Sequence, residues 1–478
     1  MSLRGFAADR SIRLCIMSIT AALVTATVAG QTSDWNTGPG GGASRNCLSA
    51  EVGPTAPEIL WQGSLPAIVS QQAVIEGNVM VVARIANFNI PDGTTIVAHD
   101  LHTGEMLWDA QLPFNNPDEW RSRVSAIRDG QVYATRAGNT NLAPLYALHV
   151  KDGSIIWESE DPIGESTTEG LAFAPNGDPI VGNFSSVMRI DKTDGTTVWE
   201  TARSCPTSNG CLVSVFGDRA YYWEASGQGP KVTALNITDG AVLYSSDGIG
   251  GGFIEQLGLF VGLDGTVYAP RTQNNPVTDF FVALQDTGKG LVGQWSVPMG
   301  FTPFGTMGVG PDGSVYSYLT DNDNALFTIV RLDPADGELV DESEPLQFDF
   351  PLTPRMAIDA NGKVFVTNGG FQSGALFSFD ADLTSRWSVK ITNVNLGGPA
   401  IGKDGILIVC GVGSDVRAYQ RTILGDLDGD GYVGVSDLLI LLGSWGPCPD
   451  LSETCPADLD LDGTVGVADL LILLSNWG

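Results

Sequence analysis

The feature that most constrains this chain is a short hairpin written many times over. VAHDLHTGEMLWDA, YALHVKDGSIIWES, MRIDKTDGTTVWET and TALNITDGAVLYSS each read as an extended run, a turn ending in Gly (104, 153, 195, 240) and a second extended run. In each, an aromatic residue falls four positions after that glycine: Trp108, Trp157, Trp199 and Tyr244. Short β-forming runs around an acidic-Gly turn predict a β-hairpin. Looser copies follow in FVALQDTGKGLVGQW, VRLDPADGELVDES and FSFDADLTSRWSV. An eighth begins at VRAYQ and stops at Arg421 without its second strand. The missing strand lies at the other end of the body, where EILWQGSLP (58–66) carries Trp61 and has no partner before it. If these halves meet, the array closes into a ring and loses the exposed edges that make open β arrays aggregate.

A second series gives the same count. EGNVMVV, DGQVYAT, NGDPIVG, GDRAYYW, DGTVYAP, DGSVYSY, NGKVFVT and DGILIVC are turn-then-strand signals interleaved with the first set. Residues 55–421 divided by eight give about 46 per repeat, the length of a propeller blade. The 59 glycines, 26 prolines and 17% charged residues also fit a turn-rich all-β body. The expected fold is an all-β, eight-bladed β-propeller of four-stranded blades over 55–421, closed by strands from both ends. A pair of long β-sandwiches is the alternative, and it leaves the two unpaired ends unexplained.

The pattern at Ala98-His99-Asp100-Leu101-His102-Thr103-Gly104 with Trp108 resembles the quinoprotein (PQQ-type) propeller repeat. The resemblance is clear in the first four hairpins and degenerate after them. It implies that the repeated Trp and Gly dock neighbouring blades rather than bind a ligand. Some members of that superfamily are quinone-dependent dehydrogenases with an adjacent-cysteine ring, a calcium-quinone pocket and often a haem. This chain has no Cys-Cys pair, no C-x-x-C-H, no nucleophile elbow, no H-E-x-x-H and no phosphate-cradling glycine loop. Its three histidines, His99, His102 and His149, all lie on the repeated hairpins, and His149 stands in a column otherwise held by Asp100, Asp191, Asp333 and Asp380. No catalytic constellation emerges, and PQQ is not expected.

The tail carries a stronger motif. GDLDGDGYVGVSDLLILLGSWG is followed by ADLDLDGTVGVADLLILLSNWG. Asp426, Asp428 and Asp430 precede Gly431 and lead to Asp437 at the twelfth position; Asp458, Asp460 and Asp462 precede Gly463 and lead to Asp469. Oxygens at positions 1, 3, 5 and 12, a backbone carbonyl at 7 (Tyr432, Thr464) and a glycine at 6 are the spacing of a calcium loop. Two calcium ions are expected. Each loop leads into a helix, with Leu438, Leu439, Leu441, Leu442 and Trp445, then Leu470, Leu471, Leu473, Leu474 and Trp477, read as one apolar face. Loop-then-helix twice, with no helix before the first loop and Asp at position 12, resembles the type I dockerin over 422–478. That resemblance implies two antiparallel loop-helix segments ordered by calcium and docking to a cohesin on another protein. Positions 10 and 11, often polar in dockerins, are here Val435-Ser436 and Val467-Ala468, which leaves the class of cohesin-like partner open.

Fifty-five acidic against 25 basic residues give a net charge of −30, which argues against nucleic acid and anionic membrane surfaces. Arg4, Arg10 and Arg13 before LCIMSITAALVTATVAG read as a signal peptide over 1–29, so export is expected and no transmembrane span in the mature chain. Residues 30–54, rich in glycine and without period, read as a flexible spacer. Six cysteines remain after the signal, an even count that suggests disulfides in an exported chain. The expected pairs are Cys205–Cys211 across a short turn, Cys448–Cys455 in the tail connector and Cys47–Cys410 across the ring closure.

These readings converge on a secreted, non-catalytic binding or scaffold protein. Its propeller presents a ligand face, and its calcium-binding tail attaches it to a cell-surface or extracellular complex. The alternative is an extracellular enzyme, polysaccharide-active or quinone-dependent, tethered by the same tail. A third reading, an assembly factor resembling the propeller lipoproteins of outer-membrane biogenesis, meets the difficulty that those lack such a tail.

Overall fold

A computed structural model describes residues 34–478 except 39, 43, 66–70, 86–93, 115–118, 120, 138–142, 164–170, 206–211, 250–257, 275–276, 303–304, 322, 349–351, 370–373, 393, 412, 422, 429–431, 449–454 and 461. Eight antiparallel sheets follow one another around an axis, with their inner strands beginning at Val74, Arg121, Ala172, Ser214, Phe260, Gly308, Arg355 and Ala400. They are blades 1 to 8. Blade 1 shows the plan, in chain order from the axis outward: Val74–Glu76, Val79–Ile85, Thr94–Asp100 and Met106–Ala110. Blade 6 adds the short strand Leu346–Gln347. The sequential hairpins expected from the repeat are the strand order of blades 1 to 7.

Blade 8 closes the ring as the unpaired ends suggested. It runs Ala400–Ile401, Leu407–Cys410 and Gly413–Tyr419, and its fourth strand is Ile59–Leu65, with Ile59 opposite Tyr419 and Gly63 opposite Val416. The core sits between the blades. Val81, Ile96 and Ala98 of blade 1 pack with Val132, Ala134 and Tyr146 of blade 2, and Val181 and Met188 of blade 3 pack with Tyr133 and Ala147 of blade 2.

Blades 1, 2, 3 and 5 are each pinned to the next by the repeated tryptophan. Trp108 Nε1 donates to Val150 O at 2.7 Å, Trp157 to Lys192 O at 2.9 Å, Trp199 to Ile237 O at 3.1 Å and Trp295 to Pro334 O at 2.9 Å. The glycine of the receiving turn has positive φ and lies against the indole: a Cβ on Gly153 would sit 2.6 Å from Trp108 Cε3. In every blade the pairing of the third and fourth strands slips by one residue, as between Ala98, which faces Trp108, and His99, and such a bulge bends the outer strand.

Two expectations fail. The glycine-rich stretch is not a free spacer: from Asp34 on it is packed along the inner edges of the blades, with Trp35 and Cys47 fully buried. Its carbonyls and side chains take up backbone groups that the innermost strands would otherwise leave unpaired. The Cys47–Cys410 bond is absent. Both thiols are free and buried, and burial pushes each up to about 12. Cys47 Sγ instead donates to Met307 O at 3.2 Å in blade 6, while Cys410 sits opposite Val416 within blade 8. The Cys205–Cys211 pairing lies outside the described residues, because Cys211 does. Residues 1–33, with the expected signal peptide, also lie outside them. Among the described residues no helix is long and apolar enough to cross a membrane.

Candidate metal centre

The tail folds as two short helices, α1 (Val435–Gly443) and α2 (Val467–Ser475), each preceded by one acidic loop. The helices meet through a small core of Val433, Leu441, Ala457, Val465 and Leu473. Each repeat completes the other. Gly446 at the end of the first pairs with Val465 of the second, and Gly478 N at the end of the second donates to Val433 O of the first at 3.1 Å. The disulfide Cys448–Cys455 joins them, as its place in the connector suggested.

The loops are shaped from within. The Asp437 carboxylate accepts from the amides of Leu427 (2.6 Å), Asp428 (3.1 Å) and Gly434 (2.7 Å). Asp469 repeats this with Leu459 (2.6 Å), Asp460 (3.2 Å) and Gly466 (2.6 Å). Burial opposes ionisation of both carboxyls, but these amides outweigh it and hold them below the usual range. Position 12 therefore ties each loop to the first turn of its helix, and a short Asp reaches where it must.

Carboxylates converge in both loops. Oxygens of Asp426, Asp428 and Asp437 lie within 4.8 Å of one another, and so do those of Asp458, Asp460 and Asp462. Slight burial and the neighbouring charges of Asp462, Asp469 and Asp458 push the Asp460 carboxyl up. All-oxygen trios of one sign suit a hard divalent cation. Asp469 is not part of the second trio, although loop amides hold it just as they hold Asp437 in the first. Asp430 lies outside the described residues. Tyr432 turns its ring outward, 67% exposed, and Thr464 is exposed and paired opposite Pro447. Either residue has a backbone carbonyl to offer.

The helix faces divide differently from the sequence reading. Leu441 and Leu473 are buried between the repeats, and Leu438 and Leu470 are half-buried. The outward stripe is Val435, Leu439, Leu442 and Trp445 on the first repeat and Val467, Leu471, Leu474 and Trp477 on the second, with Leu439 64% and Leu471 62% exposed. Val435 and Val467 were read only as loop positions. Their spacing of four and then three to the next exposed leucines was the available signal.

The histidines form no site together. His99 Nδ1 meets Gly104 O at 3.0 Å, while His102 Nε2 meets Asp404 Oδ2 at 3.0 Å across the junction of blades 8 and 1. Burial lowers the His99 pKa, so it stays neutral in the packed hairpin.

The class these features define is an eight-bladed propeller carrying a paired acidic-loop module. The family model described as outer membrane protein assembly factor BamB matches residues 47–183, which span blades 1 and 2 and the first part of blade 3. No curated protein matches the chain. Among solved structures, BamB from Moraxella catarrhalis is 14% identical with a TM-score of 0.50, over 74% of this chain and 94% of that one. A europium-containing methanol dehydrogenase is 14% identical with a TM-score of 0.54, over 93% and 96%. The Dos1 propeller is 11% identical with a TM-score of 0.52, over 77% and 98%. At these identities the likeness is one of fold.

Proposed function

We propose that this is a secreted, non-catalytic binding or scaffold protein. Its propeller presents a ligand face, and its tail, ordered by two calcium ions, attaches it to a cell-surface or extracellular complex. The observation that carries the reading is the coupling of two carboxylate loops to two outward apolar stripes through Asp437 and Asp469. Asp426, Asp428, Asp430 and the Tyr432 carbonyl would hold one ion, and Asp458, Asp460, Asp462 and the Thr464 carbonyl the other. Asp437 and Asp469 would close the two sets. Calcium would neutralise carboxylates that otherwise repel and so fix the angle between loop and helix. The partner fits a cohesin-like description: an apolar centre to cover the two stripes and a basic rim, because residues 422–478 contain ten acidic side chains and no Lys or Arg.

The test is capture of the partner from extracellular extract by the full chain, with calcium and with chelator, beside the double variant Leu439→Lys/Leu471→Lys. The reading requires binding that is lost with chelator and lost in the variant while the variant still binds calcium. Binding indifferent to both would remove the tail from the function.

A further inference from the structure

The described residues of 34–53 run around the propeller axis, bonding to blades 1, 2 and 4 to 7. Ile75 N of blade 1 donates to Trp35 O (2.9 Å) and Ile127 N of blade 2 to Asn36 O (2.8 Å). A tight turn with paired bonds between Thr37 and Gly41 then reverses the chain, with Gly40 and Gly41 at φ 93° and 85°. Ser44 reaches blades 4 and 5, donating through Oγ to Val215 O and accepting from Val261 N. Val309 N of blade 6 donates to Asn46 O and Ile358 N of blade 7 to Cys47 O. The donating amides occupy equivalent places, on the innermost strand next to the turn that leads to the second strand.

This is how an extended peptide is held on exposed sheet edges: main-chain bonds along its length and a few buried anchors. The blades do not need the segment to pair internally. Even Phe260–Val261 and Gly308–Val309, two residues long, are bonded to their own second strands. No disulfide ties Cys47 to the ring, and the segment leads to the blade 8 strand through a connector in which Thr55, Pro57 and Glu58 are exposed.

We propose that the axial turn face is a peptide-binding site occupied in cis by residues 34–53, which act as a releasable strap. The ligand class is an extended segment with a large aromatic anchor, filled here by Trp35, then mostly small residues along the inner edges and a second buried group, filled here by Arg45, which donates to Val213 O, with Cys47 and Leu48. While the strap is seated, this face is closed to other ligands.

The full chain with a protease site substituted into 55–58 tests it. After cleavage, the strap is removed by gel filtration in mild denaturant, and a synthetic peptide of residues 34–53 is added back. The expected result is a folded propeller that melts about 5 °C or more lower without the strap. The peptide restores the melting temperature, and a Trp35→Ala peptide binds at least about tenfold more weakly. If the propeller unfolds whenever the strap leaves, the segment is core and the proposal fails. It fails equally if the stripped propeller stays folded and does not take the peptide back.

Discussion

Trp61 and Gly104 join the two ends of the chain. Trp61 stands on the strand that the N-terminal region contributes to blade 8, and its indole donates to Leu101 O of blade 1 at 2.8 Å. A Cβ on Gly104 would come 2.6 Å from Trp61 Cδ2. The contact repeats the one between consecutive blades, so the ring has no weak joint where its ends meet. Gly104→Ala should therefore cost about 2–4 kcal/mol, combining left-handed backbone strain with the displaced indole. Gly217→Ala, at φ 60° with nothing within 4 Å of the new Cβ, should cost only about 1 kcal/mol. Urea unfolding of both variants measures the difference, and equal losses would mean that the indole contact contributes nothing.

Trp387 of blade 7 breaks the pattern. The turn that would receive its N–H does not exist in blade 8, whose outer strand comes from the other end of the chain. Among the described residues its Nε1 has no acceptor, and the ring packs against Phe365 and Tyr419 instead. Trp108→Phe loses a buried hydrogen bond and strands Val150 O, whereas Trp387→Phe loses only ring area. The first should be more destabilising by about 1 kcal/mol, read from unfolding midpoints.

Tyr244 holds the aromatic column's place in blade 4 and works differently. Its hydroxyl and that of Tyr221 both donate to Asp286 of blade 5 at 2.6 Å, with Arg219 3.6 Å away. Burial opposes ionisation of Asp286, but Tyr221, Tyr244, the Gly288 amide and Arg219 together hold its carboxyl below 3.8. A depressed carboxylate contributes stability that is complete above the unfolded value of 3.8 and lost as pH falls through the lower folded value. Melting temperatures from pH 5 down to pH 2 should fall less steeply in Asp286→Asn than in the parent chain. Parallel curves would rule the contribution out.

Calcium titration of the full chain by calorimetry should give two binding events. Asp426→Ala and Asp458→Ala should each remove one, with the other retained because each trio lies within one loop. Loss of both events in either single variant would show the loops to be one cooperative unit.

Reduction of Cys448–Cys455 should leave the propeller transition in place and destabilise the tail. Closing so short a loop is worth about 2–3 kcal/mol in the chain-entropy account. Differential scanning calorimetry with and without reductant separates the two transitions, and a shift confined to the propeller would contradict this.

Much of this molecule was legible before any coordinates. Gly104, Gly153, Gly195 and Gly240, each followed at the fourth position by an aromatic, marked the hairpin and its turn, because both act within a dozen residues; the interblade contact, such as Trp108 with Val150 in the next repeat, was implied only by the resemblance to the propeller repeat. The acidic trios of the tail were legible for the same reason: a loop that gathers carboxylates must space them every second residue. Leu438, Leu439, Leu441 and Leu442 were not separable by pattern, because a leucine run is apolar around most of a helix and only the partner repeat selects Leu441 for burial.

By itself the sequence determined the number of blades, their period and the meeting of the two ends, since hairpin pairing is local and an unpaired strand at each end must find the other. Only the tertiary structure decided what residues 34–53 do and where Cys47 and Cys410 point. The partners of that stretch are backbone amides and carbonyls on the inner strands of separate blades. Every residue carries those groups, so they leave no mark in the sequence, and only the closed ring brings them to one axis.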